Sequence, residues 1–129
     1  MPYTPSARVL FNLSTSGLTN RLSASANSGA ISLMDVTDVW LAAYVAGTST
    51  GTSPTLDVQL DVQDADGNWF PQVTKITQLT SAPGYSSTSA GLHIAGAGSM
   101  VLPHWCRVAW TLGGTNPVFP QASICLVGR

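Results

Sequence analysis

The chain has no glutamate and a single lysine, Lys75, among its 129 residues. Six aspartates face five cations for a net charge of −1, and charged residues are 9% of the total, where an ordinary globular domain carries about a quarter. Each shortage excludes something. Five cations cannot neutralise a run of phosphates, so no nucleic-acid partner is expected. With no Glu and little Lys or Arg, the best formers of exposed helices are missing, which argues against bundles and coiled coils. Long apolar runs are missing as well. The longest stretch free of Gly, Pro and positive charge, Ala30–Ala46, is broken by Asp35 and Asp38, so no membrane span is expected. The opening MPYTPSARVLFNL lacks a basic region leading into an apolar one. The expected folding compartment is therefore a cytoplasm, where thiols stay reduced.

What is present points to β structure. The chain is 44% apolar with four tryptophans, too hydrophobic for disorder. Its length suffices for one domain burying roughly 65–70% of its unfolded surface without metal or disulfide staples. Fifteen serines and fourteen threonines make the remainder polar without making it charged.

The clearest element is Leu56–Gln63. Leu56, Val58, Leu60 and Val62 alternate with Asp57, Gln59, Asp61 and Gln63, a period of two that gives one buried and one wet face. Asp66-Gly67 supplies a turn, and Trp69–Ile76 returns as partner. Pro71 cannot donate to a ladder, so the return strand is expected to be bulged or at an edge. Cys106, Val108, Trp110 and Leu112 alternate in the same way; Gly113–Pro117 is read as a turn and Val118–Val127 as the returning strand. Val9–Leu13, Ile31–Met34 and Val36–Val45 are read as strands, although Leu41, Ala42 and Ala43 tolerate helix. Gly47–Thr55 and Gly84–Gly98 read as loops by composition. Residues 1–8, with Pro2 and Pro5, read as an extended arm. The expected fold is all-β: an antiparallel β-sandwich of about eight strands over residues 9–129, for which a jelly-roll-like arrangement fits.

Candidate chemistry is sparse. Gly47-Thr48-Ser49-Thr50-Gly51 has the G-x-S-x-G spelling, but Thr52-Ser53-Pro54 follows where a nucleophile elbow needs a helix. Asp64-Ala65-Asp66-Gly67-Asn68 opens like a calcium loop, yet Lys75 stands where a bidentate Glu is required. His93, and His104 with Cys106, lack a third and fourth ligand at metal spacing. No catalytic, metal or cofactor residue is assigned, and the chain is not read as an enzyme. Cys106 and Cys125 flank the last turn, but matching apolar faces across it sends Cys125 to the opposite side. They are read as two reduced thiols, with a bulge the only route to pairing. Of the tryptophans, Trp110 and Trp69 read as core, Trp40 sits in a buried-looking run, and Trp105 alone reads as exposed.

Residues 56–129 resemble a family of small all-β virion proteins of tailed bacteriophages. The resemblance is carried by the Leu56–Trp69 hairpin with its Asp66-Gly67-x-Trp69 turn and by Thr77-Gln78-Leu79-Thr80. It continues through Leu102-Pro103-x-Trp105-x-Arg107-Val108-x-Trp110, Gly113-Gly114-Thr115-Asn116-Pro117-x-Phe119 and the closing Ile124–Gly128. Members of this kind are mostly capsid decoration (cement) proteins or small tail components. The resemblance implies a structural protein on the outer capsid surface, assembled in the host cytoplasm. Its partners would be the major capsid protein and further copies of itself, as a homotrimer suited to three-fold positions. A tail or head–tail junction role, or a carbohydrate-binding sandwich, is the alternative; the latter requires exposed coplanar aromatics. Candidate contact residues are Asp57, Gln59 and Asp61 on the wet face, Trp105 and Arg107 nearby, and Tyr3 and Arg8 of the arm. Wet interfaces of this sort rely on many hydrogen bonds and on multivalency.

Overall fold

Inward-facing apolar residues at every second position give the central strands one side that must be covered, and two such sheets cover each other. The computed structural model describes residues 7–14, 21–91 and 101–129. Among these residues there is no helix. The strands are β1 (Arg8–Ser14), β2 (Ala26–Asn27), β3 (Ile31–Ser32), β4 (Asp38–Ala46), β5 (Thr50–Gln63), β6 (Trp69–Lys75), β7 (Gly84–Gly91), β8 (Trp105–Val118) and β9 (Gln121–Gly128).

They form two antiparallel sheets. The first has the order β1-β9-β4-β7; the second has β2-β8-β5-β6, with β3 also pairing β8. Counting β2 and β3 as one interrupted strand gives eight. Nested pairs β1 with β9, β2/β3 with β8, β4 with β7 and β5 with β6 describe one long hairpin. Rolling it brings β9 onto β4 and β8 onto β5. That is a jelly roll.

The core lies between the sheets. Leu56, Val58 and Leu60 from β5 and Val108 from β8 meet Leu41 and Val45 from β4 and Ile124 and Leu126 from β9 in one buried cluster. Each such side chain contributes roughly 1.5–3 kcal/mol when fully buried. Trp110 belongs to this cluster and stacks on Phe11 of β1 at 5.9 Å between centroids. Along the β6/β7 side the two sheets are tied by a 2.7 Å hydrogen bond between the Thr74 and Thr88 hydroxyls.

Three composition-based expectations are corrected. Gly113–Pro117 is not a turn. β8 runs through it to Val118, and the chain turns at Phe119–Pro120 to enter the other sheet, so β8 and β9 are not hairpin partners. Its partner is the Thr50–Thr55 stretch, read as loop, which pairs Thr50 with Val118 and Thr52 with Thr115. Two bulged extensions satisfy each other's backbone groups there. A Cβ on Gly51 (φ +102°) would lie 2.5 Å from the Asn116 carbonyl oxygen, and one on Gly114 (φ +97°) 2.5 Å from the Ser53 oxygen. Glycine in these segments permits close strand approach, not a loop. Likewise Gly84–Gly91, read as loop, is the edge strand β7, in register with β4 from Asp38–Gly91 to Val45–Gly84. The tolerated helix over Val36–Val45 is strand β4 from Asp38 onward.

Arg8, read as the end of an arm, opens β1 and donates to the Met34 carbonyl oxygen at 3.0 Å. Tyr3, with the rest of the arm up to Ser6, lies outside the described residues, as does His93. Pro71 lies as expected in an edge strand that is also bulged. Leu60 pairs with Thr74 and Val62 with Phe70, so Pro71, Gln72 and Val73 together oppose the single residue Asp61.

Candidate functional site

The jelly roll leaves two outward sheet faces, and they differ in chemistry. On the second sheet, β5 turns Asp57, Gln59, Asp61 and Gln63 outward, and β8 turns Trp105, Arg107, Ala109 and Thr111 outward beside them. Asp61 lies opposite Arg107 and Gln63 opposite Trp105. Five of the seven sequence-derived contact residues therefore share one face.

Asp61 does not fit the role expected of it. It is 1% exposed, whereas alternation places it on a wet face. Its Oδ1 accepts from Gln59 Nε2 at 2.8 Å and from the Gln72 backbone N–H at 3.1 Å, and its Oδ2 accepts from Arg107 Nε at 2.9 Å. Arg107 in turn lies 4.4 Å over the ring of Trp69, a cation–π contact. Trp69, read as core, stands opposite Gln63 on the outer face and roofs this ion pair. The β6 bulge folds Gln72, at φ +58°, over the carboxylate. Asp61 is thus the internal anchor of the bulge, not a contact group.

Asp57 is partly open. Lys75 Nζ lies 3.1 Å from its Oδ1, and Gln78 Nε2 donates to its Oδ2 at 2.9 Å. At the far end Trp105 is 40% exposed and stacks on the His104 ring at 4.5 Å and 3°. The His104 Nε2 is 3.0 Å from the Ser32 hydroxyl. Both residues border a groove of about 440 Å³ shared with the β5–β6 turn. Asp64 stabilises that turn by accepting from Asn68 Nδ2 and from the Asp66 and Asn68 backbone N–H groups at 2.8–3.0 Å. The Asn68 bonds foremost hold its carboxyl below the usual carboxylate range. A carboxylate so engaged serves the turn. Among the described residues no group of three His, Cys, Asp or Glu could hold a metal ion.

The first sheet's outer face carries what the sequence reading missed. Trp40, read as buried, is 46% exposed, with Tyr44 at 48% and Tyr85 at 84%. Val39, Leu41, Ala43 and Val45 are the buried set of β4, which sends Trp40, Ala42 and Tyr44 outward. That phase was readable; a run of apolar and aromatic residues obscured it. Tyr44 pairs directly with Tyr85 of β7, and Ala42 lies between Ser87 of β7 and Cys125 of β9. Small residues flanked by rings make a groove of about 360 Å³ whose lining carries no charge.

Cys125 thus borders an outer groove while Cys106 is fully buried in the other sheet, and both are free thiols. Burial pushes the Cys106 thiol up to about 12 and raises that of Cys125 less. Gly47, Thr48 and Ser49 join β4 to β5, strand to strand, with no helix following the G-x-S-x-G spelling. No protein-family model matches the chain, and no curated protein is significantly similar to it.

Proposed function

We propose that the protein is a virion structural component of a tailed bacteriophage, a decoration protein that attaches to the head shell through the outer face of the second sheet. The observation carrying this reading is the clustering of Asp57, Gln59, Arg107 and Trp105 on one braced face, within the segment that resembles such proteins. A shell-binding surface has to be rigid before contact, because ordering side chains on binding weakens the contact. The Asp61–Arg107–Trp69 stack supplies that rigidity, and half-exposed Trp105 is the aromatic anchor such interfaces use. Half-buried Gln59 adds a hydrogen-bonding group on the same face. A homotrimer at three-fold positions multiplies weak contacts and braces neighbouring capsomers against internal pressure.

The test is reconstitution onto purified heads that lack the protein, with occupancy read by cryo-electron microscopy and oligomeric state by light scattering. Saturable occupancy of the outer shell, reduced by Trp105→Ala at unchanged melting temperature, is the expected result. Density confined to the tail or the head–tail junction would move the protein to that role. Absence from the particle would end the reading.

A further inference from the structure

The geometry points to a second binding site, on the opposite side of the sandwich: the groove between Trp40 and the Tyr44–Tyr85 pair takes a short neutral oligosaccharide. Three features select that ligand. The first is shape. Trp40 and Tyr44 are four residues apart on one strand, so their Cα atoms are separated by ~13 Å, and the floor between them is Ala42, Ser87 and Cys125. At about 360 Å³ the groove falls at the low end of small-ligand sites, roughly 300–1,000 Å³. It is open to solvent and not enclosed, as a chain-like ligand requires.

The second feature is chemistry. The apolar faces of pyranose rings pack on aromatic faces, and their hydroxyls need donors and acceptors beside those rings. Here the phenol groups of Tyr44 and Tyr85 and the Ser87 hydroxyl supply them. Trp40 also lines an adjoining depression of about 180 Å³ that holds Asp38 and Arg129, whose side chains pair at 3.5 Å. An ion pair next to an indole offers polar contacts to hydroxyls without net charge.

The third feature is what the groove disfavours. With no charged residue in its lining the groove itself offers no counter-ion for an anionic sugar or a phosphate, and the adjoining Arg129 is paired with Asp38.

The site is independent of shell attachment, because the two faces lie on different sheets. The experiment titrates the full-length protein with cellotriose, maltotriose and chitotriose, and with sialyllactose as the anionic comparison, following tryptophan fluorescence and amide NMR shifts. The expected result is saturable binding of at least one neutral trisaccharide with Kd at or below about 1 mM, with shifted resonances centred on Ala42 and Ser87. Trp40→Ala and Tyr85→Ala each weaken it at least tenfold at unchanged melting temperature and unchanged head occupancy. No saturation by any neutral trisaccharide up to about 10 mM, or equal binding by Trp40→Ala, overturns the proposal. So does a wild-type oligomer that Trp40→Ala dissociates in the absence of sugar binding, which would make the face a protein interface.

Discussion

The two outer faces of this sandwich are built from the same alternation rule and end as opposites. On the second sheet, outward polar residues turn toward each other: Asp61 is roofed by Trp69 and Arg107, and Asp57 is held by Lys75 and Gln78. On the first sheet, outward aromatics stay in solvent, with small residues between them. Outward-facing is therefore not the same as exposed, and polar is not the same as available. A bulged edge strand can bury a carboxylate on the wet side, and a row of small residues leaves a tryptophan standing free on the apolar side.

The largest test of this contrast concerns the core that both faces share. Leu60→Asp places an unpaired charge between the sheets, and the expected outcome is loss of the folded state, read by circular dichroism. Next come Asp61→Ala and Arg107→Ala. Each breaks a largely buried ion pair and strands its partner, and each is expected to cost about 3 kcal/mol in urea unfolding. The double variant should cost much less than the sum of the two. Additive or negligible losses would return Asp61 to the solvent-facing class.

Alkaline pH offers a measure of intermediate size. The Cys106 thiol is raised from an ordinary value of 9.0 to about 12 by burial, so over that interval the unfolded chain has lost a proton that the folded chain keeps. Stability should be whole below pH 9 and fall as pH rises toward 12. That part of the slope should vanish in Cys106→Ala. Unfolding midpoints across the range decide it.

Gln59→Ala removes one bond to Asp61 and should cost about 1 kcal/mol. The smallest effect belongs to the first sheet: Trp40→Ala and Tyr85→Ala should shift stability by no more than about 0.5 kcal/mol. Melting temperatures that fell as far for Trp40→Ala as for Arg107→Ala would erase the distinction between the faces.

Much of the second half was legible. The period-two runs at Leu56–Gln63 and Cys106–Leu112, the Asp66-Gly67 turn and the bulge at Pro71 follow from side-chain alternation and from the donor that proline lacks. The opposite orientation of Cys125 also followed, because alternation along β9 holds whichever strand it pairs with. Partners were another matter. Matching apolar faces made β8 and β9 a hairpin, when a Phe119–Pro120 corner carries the chain between sheets. Glycine- and serine-rich segments read as loops because local composition cannot report a strand whose backbone partners lie far away in sequence, as Thr50–Thr55 and Gly113–Val118 do for each other.

By itself the sequence determined the class and the phase: strands rather than helices, which residues of each clear strand face in, and a surface poor in charge. These rest on local physics, the pleat and the turn residues. The tertiary structure alone decided which strands meet, that Asp61 is sealed beneath the Gln72 bulge and that Trp40 and Tyr85 flank one groove. Those outcomes depend on how the long hairpin rolls, which sets neighbours fourteen to over a hundred residues apart, as between Thr74 and Thr88 or Arg8 and Gly128. No local pattern encodes whether a given outward side chain will be covered once that roll is complete.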